Sequence, residues 1–473
     1  MASKNISFEK IGSSIRKPGV YAEFNTRMAV RSLPGNLQRL LLVGQKTADS
    51  TGAALQVTDV FSDDEAATKF GIGSQVHRMV LAALTANPYA QLSVVALDDP
   101  AGAVAAVWKL TITGTPTDAG TLYLGLAGDT VSVNVNATDT PATVAAAFVT
   151  AIAAKPKLPF IASSAAGVLS VTAKNKGALA NSTKVAVTGA VAGLAAALTV
   201  GTAGASDPDI SGALNAAFLG GHNNVAIAYR DTTSVHALRT YLQAVGSAFE
   251  KRWAIGTIAS NGSLGDATTV SAGINDGFIS NAWCRGTPTA TTEMAAAYAA
   301  TIAATEDPAL PFNDVEVPGI VPPAVADQTS RTEQESALYN GVAPLYVGPG
   351  DKVQIVRAIT TYTVNASNVP DIALLDVTTP RTMMYVAKVF VEDRGRRYSR
   401  AKITPRLINS MHDSGKVLLK KLEDLEIIEA VDDNIGEYVV ERDEQDPNRI
   451  NERIPVDVVN GLHVIAQRFD LLL

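Results

Sequence analysis

Leu37-Gln38-Arg39-Leu40-Leu41-Leu42-Val43-Gly44 is a short, nearly continuous apolar run closed by a glycine. Such a run fits a buried strand. Downstream, Ser62-Asp63-Asp64-Glu65 reads as a capping box, in which the Ser oxygen and the Glu carboxylate satisfy orphan amides of a helix start. A second helix follows, with Val76, Met79, Val80, Ala83 and Leu84 at helical spacing, and it stops at Asn87-Pro88. Gln91 to Leu97 returns as a strand. Strand, helix, strand is the opening of an α/β domain.

Charge divides the rest of the 473-residue chain, which is long enough for about three domains. Residues 110–205 hold only eight charged side chains: Asp118, Asp129, Asp139, Lys155, Lys157, Lys174, Lys176 and Lys184. Residues 381–473 hold thirty-two. Separate modules explain such asymmetry better than one fold. Breakers at Asp98-Asp99-Pro100 and Asp207-Pro208-Asp209 bracket the low-charge segment. Inside it, Lys109–Thr113, Thr121–Leu126, Thr130–Val135, Val168–Ala173 and Lys184–Val187 alternate like antiparallel strands. Thr140-Pro141 starts one helix, whose apolar face is Val144, Phe148, Ala151 and Ile152.

After Asp209 the α/β pattern resumes. Strands are expected at Asn224–Tyr229, Arg252–Ile258 and Phe278–Cys284, with helices around Val235–Phe249 and Thr292–Thr305. Pro308–Pro323 reads as a linker or extended crossing. Beyond it, Val353–Thr363 is strand-like, Thr382–Arg397 is a helix interrupted near Gly395, and a second helix spans Pro405–Leu425. The fold class expected is therefore α/β and α+β multidomain. An α/β core domain (33–99 and 206–325) carries an inserted β-rich domain (100–205). A C-terminal α+β domain (326–452) follows, with extended terminal arms at 1–32 and 453–473.

Both arms read as strand-forming. Near the start, Pro18-Gly19-Val20-Tyr21 is a turn between polar stretches. At the end, Asn460-Gly461 sits between alternating apolar residues, the strongest short-range hairpin signal. Val456, Val458, Leu462, Val464, Ala466 and Phe469 are the candidate pairing positions. An extended arm with unpaired backbone groups is a template for another chain, so the sequence points to a building block of an assembly.

Little suggests chemistry. Net charge is −7, which disfavours non-specific DNA or anionic-membrane binding. The single Cys284 excludes an intrachain disulfide, and its apolar setting, Phe278-Ile-Ser-Asn-Ala-Trp-Cys284, reads as a buried thiol. The five histidines, His77, His222, His236, His412 and His463, show no metal-ligand spacing. Gly71-Ile-Gly73 is too short for a dinucleotide loop, and Gly348-Pro-Gly-Asp-Lys352 precedes a strand rather than a helix, so it reads as a hairpin turn. No Gly-x-Ser-x-Gly elbow is present. No catalytic, cofactor-binding or metal residue is assigned. Residues 1–17 lack an apolar signal core and no run reaches membrane-span length, so folding in a cytoplasm without membrane insertion is expected. The strongest charge feature is Arg394, Arg396, Arg397 and Arg400, continued by Lys402 and Arg406. The acidic stretch Glu423–Glu444 balances it, which fits matching between subunits, or plain solvated surface, better than nucleic acid.

The chain resembles contractile tail sheath proteins of Mu-like bacteriophages. The resemblance is carried by Arg16-Lys-Pro-Gly-Val-Tyr21 with Leu37–Gly44, by Tyr339-Asn-Gly-Val-Ala-Pro-Leu345 followed by Val353–Tyr362, and by Ile454–Ala466. It spans essentially the whole chain. The resemblance implies a homo-oligomer of stacked six-fold rings wound helically around an inner tail tube protein, bounded by a baseplate and a tail terminator. It implies that terminal arms add strands to neighbours, that the insert faces outward, and that contraction drives the tube through the host envelope without a cofactor. It implies a virion-tail location after assembly in the host cytoplasm. Two alternatives stay open: the sheath of a phage-derived bacteriocin or related injection machine, and a cytoplasmic α/β enzyme or ligand-binding protein with a cap domain.

Overall fold

The computed structural model describes Lys17, Gly19, Val20, Ala22 and residues 33–472. The decisive run forms β1 (Arg39–Gln45), in which Leu40 to Val43 are fully buried. β2 (Val57–Val60) leads into α1 (Asp63–Phe70), α2 (Gln75–Ala86) and β3 (Gln91–Leu97). The α1 cap differs in detail from expectation. Ser62 Oγ accepts from the Glu65 amide at 3.2 Å, but the Glu65 carboxylate accepts from Phe61, one residue earlier, at 2.9 Å.

The low-charge segment forms β4 (Val107–Gly114), β5 (Gly120–Leu126), β6 (Asp129–Val135), α3 (Pro141–Ala153), β7 (Phe160–Ala165), β8 (Val168–Ala173), β9 (Val185–Thr188) and β10 (Leu194–Thr202). These strands make a four-stranded sheet, β10-β4-β8-β7, and a three-stranded sheet, β6-β5-β9. They enclose a core of their own, including Leu110, Leu124, Phe148 and Leu169, all fully buried. Strands β7 and β10 escaped the sequence reading because Ser- and Ala-rich runs have weak strand propensity. Val104 and Ala205 exchange two backbone hydrogen bonds of 3.1 Å, closing a neck where the segment leaves and rejoins the chain.

The chain continues through α4 (Ser211–Ala216), β11 (Asn224–Ile227), α5 (Thr232–Val245), β12 (Ile255–Ser260), α6 (Leu264–Ile274), β13 (Ile279–Trp283), α7 (Thr291–Ala304), α8 (Arg331–Tyr339), β14 (Ala343–Gly348) and β15 (Lys352–Ile355). One eight-stranded sheet results, in the order β15-β14-β13-β12-β11-β1-β3-β2. The six inner strands are parallel, and β2 and β15 are antiparallel edges. The boundary expected at residue 325 is corrected here: β14 pairs with β13 through Ala343 and Pro344, so the core sheet extends to Ile355. The strand expected to reach Thr363 stops at Ile355. Pro308–Pro323 is no free linker, because Phe312, Val317 and Ile320 are buried and residues 314–317 bond to the β15 edge. Helix α7 is buried on nearly every side, which explains its alanines: small side chains let it lie close to both α2 and the sheet.

The last elements are α9 (Thr378–Tyr398), α10 (Pro405–Asp424), α11 (Val431–Asn434), β16 (Val439–Arg442) and β17 (Ile450–Arg453). Helix α9 is continuous through Gly395, which faces open space. The two long helices and the β16–β17 ribbon share a separate core containing Val389, Phe390, Leu419, Leu422 and Ile428.

Candidate assembly interface

Strand order reverses between β1 and β11, and in open α/β sheets that crevice is where ligands bind. Here protein fills it. Tyr229 Oη donates toward Gln45 Oε1 (3.0 Å) and Gln75 Oε1 (3.1 Å). Gln45 Nε2 donates to Asp99 Oδ1 and to the Lys176 carbonyl, both at 2.7 Å. Asn175 closes the top, accepting from the Gln75 amide and donating to the Lys46 carbonyl at 2.8 Å each. A cavity of about 60 Å³ remains, lined partly by Gln45, Arg78, Asn175 and Glu293.

The same polar contacts bolt the inserted segment to the core. Arg78 on α2 is bidentate to Glu293 on α7, with both bonds at 2.9 Å, and reaches Asp129 of β6 at 3.0 Å. Burial pushes the Glu293 carboxyl up and Arg78 opposes this. Lys157 grips Asp63, and Asp63 lies 2.7 Å from Nε2 of the fully buried His77. His77 Nδ1 accepts from the Gly73 amide, so its proton sits on Nε2, close to Asp63 but not aligned with it for a hydrogen bond. Burial also holds the His77 pKa below its ordinary value, against the pull of Asp63. No nucleophile is among these partners; the His–Asp pair is an anchor for Lys157. Cys284 is likewise inert, its thiol pushed up to about 12 by burial. Among the described residues no cluster of three metal-capable side chains occurs, and no helix is long and apolar enough to cross a membrane.

The basic cluster splits. Arg394 turns inward, its side chain 14% exposed, and joins five protein groups. It donates to Glu452 through Nε (3.0 Å) and Nη2 (2.6 Å), to Asp393 (2.8 Å), Ser414 Oγ (2.9 Å), the Met411 carbonyl (3.2 Å) and Tyr438 Oη (3.1 Å). Phe390 and Tyr398 flank it at 5.4 and 5.7 Å from their ring centroids. Burial works against its charge, but Glu452 outweighs that and holds its pKa above the ordinary value. Gly415 makes room: a Cβ there would overlap Tyr438 Oη. Arg394 is thus no surface candidate but the pin tying α9, α10 and β17 together. Arg397 pairs with Asp393 at 2.6 Å on the rim, Arg396 reaches back to the Glu392 carbonyl, and Arg400 is exposed without a partner among the described residues. The sequence reading missed Glu452 and Tyr438 because it did not recognise β17; the turn residues Asp446-Pro447-Asn448 between two short runs were the available signal.

Beyond β17 the chain is extended, and the hairpin expected at Asn460-Gly461 does not form. Neither residue takes the positive φ that a type I′ turn needs. Ile454 and Val456 are half-buried against the helices, and Val458 bridges Ile428. The Asn313 side chain then holds the Leu462 carbonyl (3.0 Å) and the His463 ring (3.0 Å), on the flank of the core sheet. From Val464 onward, among the described residues, Arg468 to Asp470 is the only bond. Leu462, Val464, Ile465, Phe469, Leu471 and Leu472 are left exposed, as is Ala466. In the N-terminal arm, Gly19 and Val20 are exposed, while Pro18 and Tyr21 lie outside the described residues.

The phage tail sheath protein central domain matches residues 203–361, and the phage tail sheath C-terminal domain matches residues 369–471. The Mu-like prophage FluMu tail sheath protein of Haemophilus influenzae is 29% identical over 490 residues, covering 99% of this chain and 100% of that protein. Solved structures share the fold. A sheath tail protein of Desulfitobacterium hafniense superposes with a TM-score of 0.53 at 13% identity, over 94% of this chain and 97% of that one. One from Listeria innocua gives 0.54 at 12%, over 90% and 93%. The helical sheath of the anti-feeding prophage in its contracted state gives 0.51 at 11%, over 96% and 98%.

Proposed function

This chain belongs to the phage tail sheath family, and from that premise we propose that it is the structural subunit of a contractile tail sheath. Copies polymerise helically, as stacked six-fold rings, around an inner tail tube, between a baseplate and a tail terminator. Contraction then drives the tube through the host envelope. The reading is non-enzymatic: the work comes from exchanging one set of subunit interfaces for a more favourable one, with no cofactor, no nucleic-acid contact and no membrane insertion by this chain. Assembly takes place in the host cytoplasm and the product is part of the virion tail.

The observation that carries the proposal is the tail from Val464 to Leu472, an extended backbone whose groups pair with no other described residue, with an exposed apolar row. A lone chain gains nothing from such a segment, whereas a neighbour's open strand edge satisfies both its amides and its side chains. The N-terminal arm around Pro18-Gly19-Val20-Tyr21 has the same role in this proposal. Residues 104–205, joined at one neck and holding a separate core, form the outward-facing module. Residues 378–453 form the inward, assembly-bearing module. The fold shared with the contracted anti-feeding prophage sheath keeps an injection-machine sheath as the second reading, with the same subunit mechanics.

Negative-stain electron microscopy of the full-length chain beside a version lacking residues 464–473 tests this. Tubes or stacked rings from the full chain, and folded monomers with an unchanged melting midpoint from the truncated one, are expected. Normal polymers from the truncated chain would remove the C-terminal arm from the assembly.

A further inference from the structure

A groove of about 420 Å³ lies between the start of β1, the loop before β12 and the exposed side of α9. Five cationic side chains line it, Arg39, Lys251, Arg252, Arg381 and Lys388, and Glu392 is the one acid among its lining residues. Most of these cations have modest partners. Arg252 reaches Glu250 at 2.7 Å, Arg39 donates to the Gly220 carbonyl at 2.5 Å and approaches Asp59 at 3.9 Å, and Lys388 donates to the Gly35 carbonyl at 2.8 Å. Lys251 is exposed and has no partner among the described residues.

Arg381 is the informative member. It is 3% exposed, donates from Nη2 to the Thr305 carbonyl and stacks over Phe312 at 5.2 Å from the ring centroid. Its Nη1 has no hydrogen-bond partner among the described residues. Burial lowers its pKa to about 10, and only Asp307 opposes the shift through space. With Nη1 itself buried, this charge acts on a docked partner as positive potential across the groove and not by direct contact.

We propose that this groove docks the acidic surface of residues 424–444 of a second copy of this chain, an inference that rests on the sheath reading. In that stretch Glu426, Asp433, Glu441 and Glu444 are exposed and have no cationic partner among the described residues. None of them lines the groove of their own chain. Opposite charge therefore matches across copies, not within one. The segment leading into Leu33 is the competing occupant, but Glu23, Arg27 and Arg31 make its nearest stretch net basic, the same sign as the groove. With the inward turn of Arg394, the groove supplies the cationic partner that the acidic stretch lacks.

The test is a charge swap in the full chain, co-expressed with its tail-tube and baseplate partners. Lys251→Glu with Lys388→Glu makes the groove acidic, and Glu441→Lys with Glu444→Lys makes the opposite surface basic. Each pair alone is expected to lower the assembled fraction at least ~10-fold at moderate salt, the effect of about 1.4 kcal/mol. All four changes in one chain are expected to restore assembly. Losses that the combination does not rescue would overturn the pairing of these two surfaces. Full assembly with either pair alone would overturn it too, while leaving the sheath reading intact. An unmodified chain that never assembles with those partners would sink the sheath reading and this inference with it. Should Lys388→Glu lower the melting midpoint, Lys251→Glu alone, at an exposed position, carries the same comparison.

Discussion

Arg394 shows how little a basic run in sequence says about what each arginine does. Four residues, three in the last turns of α9 and one just past its end, divide into one buried pin, one rim pair and two exposed charges. Replacing Arg394 by Met leaves Glu452 without a cation in a poorly solvated site and Asp393 with Arg397 alone, and a loss of about 3–5 kcal/mol is expected in urea unfolding. Arg400→Glu should leave the unfolding midpoint where it was. A simple surface role for all four predicts the same small change in both, and the pair of melts separates the two views. The buried histidines set the acid limb of stability. Burial, reinforced by Arg39 and only partly opposed by Asp59, depresses His222 from its ordinary 6.5 to about 4. Between those values the unfolded chain binds a proton that the folded chain refuses. Stability is therefore lost as pH falls from 6.5 toward 4, at up to about 1.4 kcal/mol per pH unit for this one group. His222→Phe should flatten that part of a stability-versus-pH curve, and an unchanged slope would show that His222 is not the group responsible.

At the scale of elements, α10 depends on one missing methyl group. Gly415 brings the helix against Tyr438, whose Oη donates to Glu452 at 2.6 Å. Gly415→Ala gains helix propensity but drives a Cβ into that oxygen, and a net loss of about 1–3 kcal/mol is expected by denaturant titration. The terminal arm obeys the opposite logic, because among the described residues nothing holds it past His463. Val464→Pro removes an amide that no described residue uses. It should leave the melting midpoint unchanged and lower polymer yield as far as truncation does, since proline cannot donate to a strand ladder. Val464→Ala keeps the amide, so polymers lost equally in both variants would assign the effect to side-chain contact instead of backbone pairing.

For the whole molecule, the arrangement is of modules tied by polar joints. Lys157–Asp63, Arg78–Asp129, Lys184–Asp327 and the Asn175 contacts join insert to core, while each keeps its own apolar centre. Replacing residues 105–204 by a short Gly-Ser linker across the Val104–Ala205 neck should leave a core that still unfolds cooperatively by calorimetry. It should also leave polymers that are thinner in electron micrographs, as an outward-facing insert requires. A core that no longer folds would mean that Asp63, His77 and Arg78 depend on their partners in the insert.

Local pattern alone determined much of this protein. Continuous apolar runs, caps at Ser62 and Thr140, the Pro88 stop and the charge contrast between 110–205 and 381–473 are encoded in neighbouring residues, so the parallel core, the β-rich insert and the long α10 were legible. Tertiary structure decided what depends on distant partners. Whether β14 continues the core sheet, whether Arg394 faces water or Glu452, and whether Asn460-Gly461 turns back are settled by groups far away in sequence. A hairpin signal states only that a turn is possible; the Asn313 and Ile428 contacts offered Leu462 and Val458 better bonds in an extended path. The reason is physical: backbone amides and buried charges must be satisfied somewhere, and the sequence lists the groups without saying which ones meet.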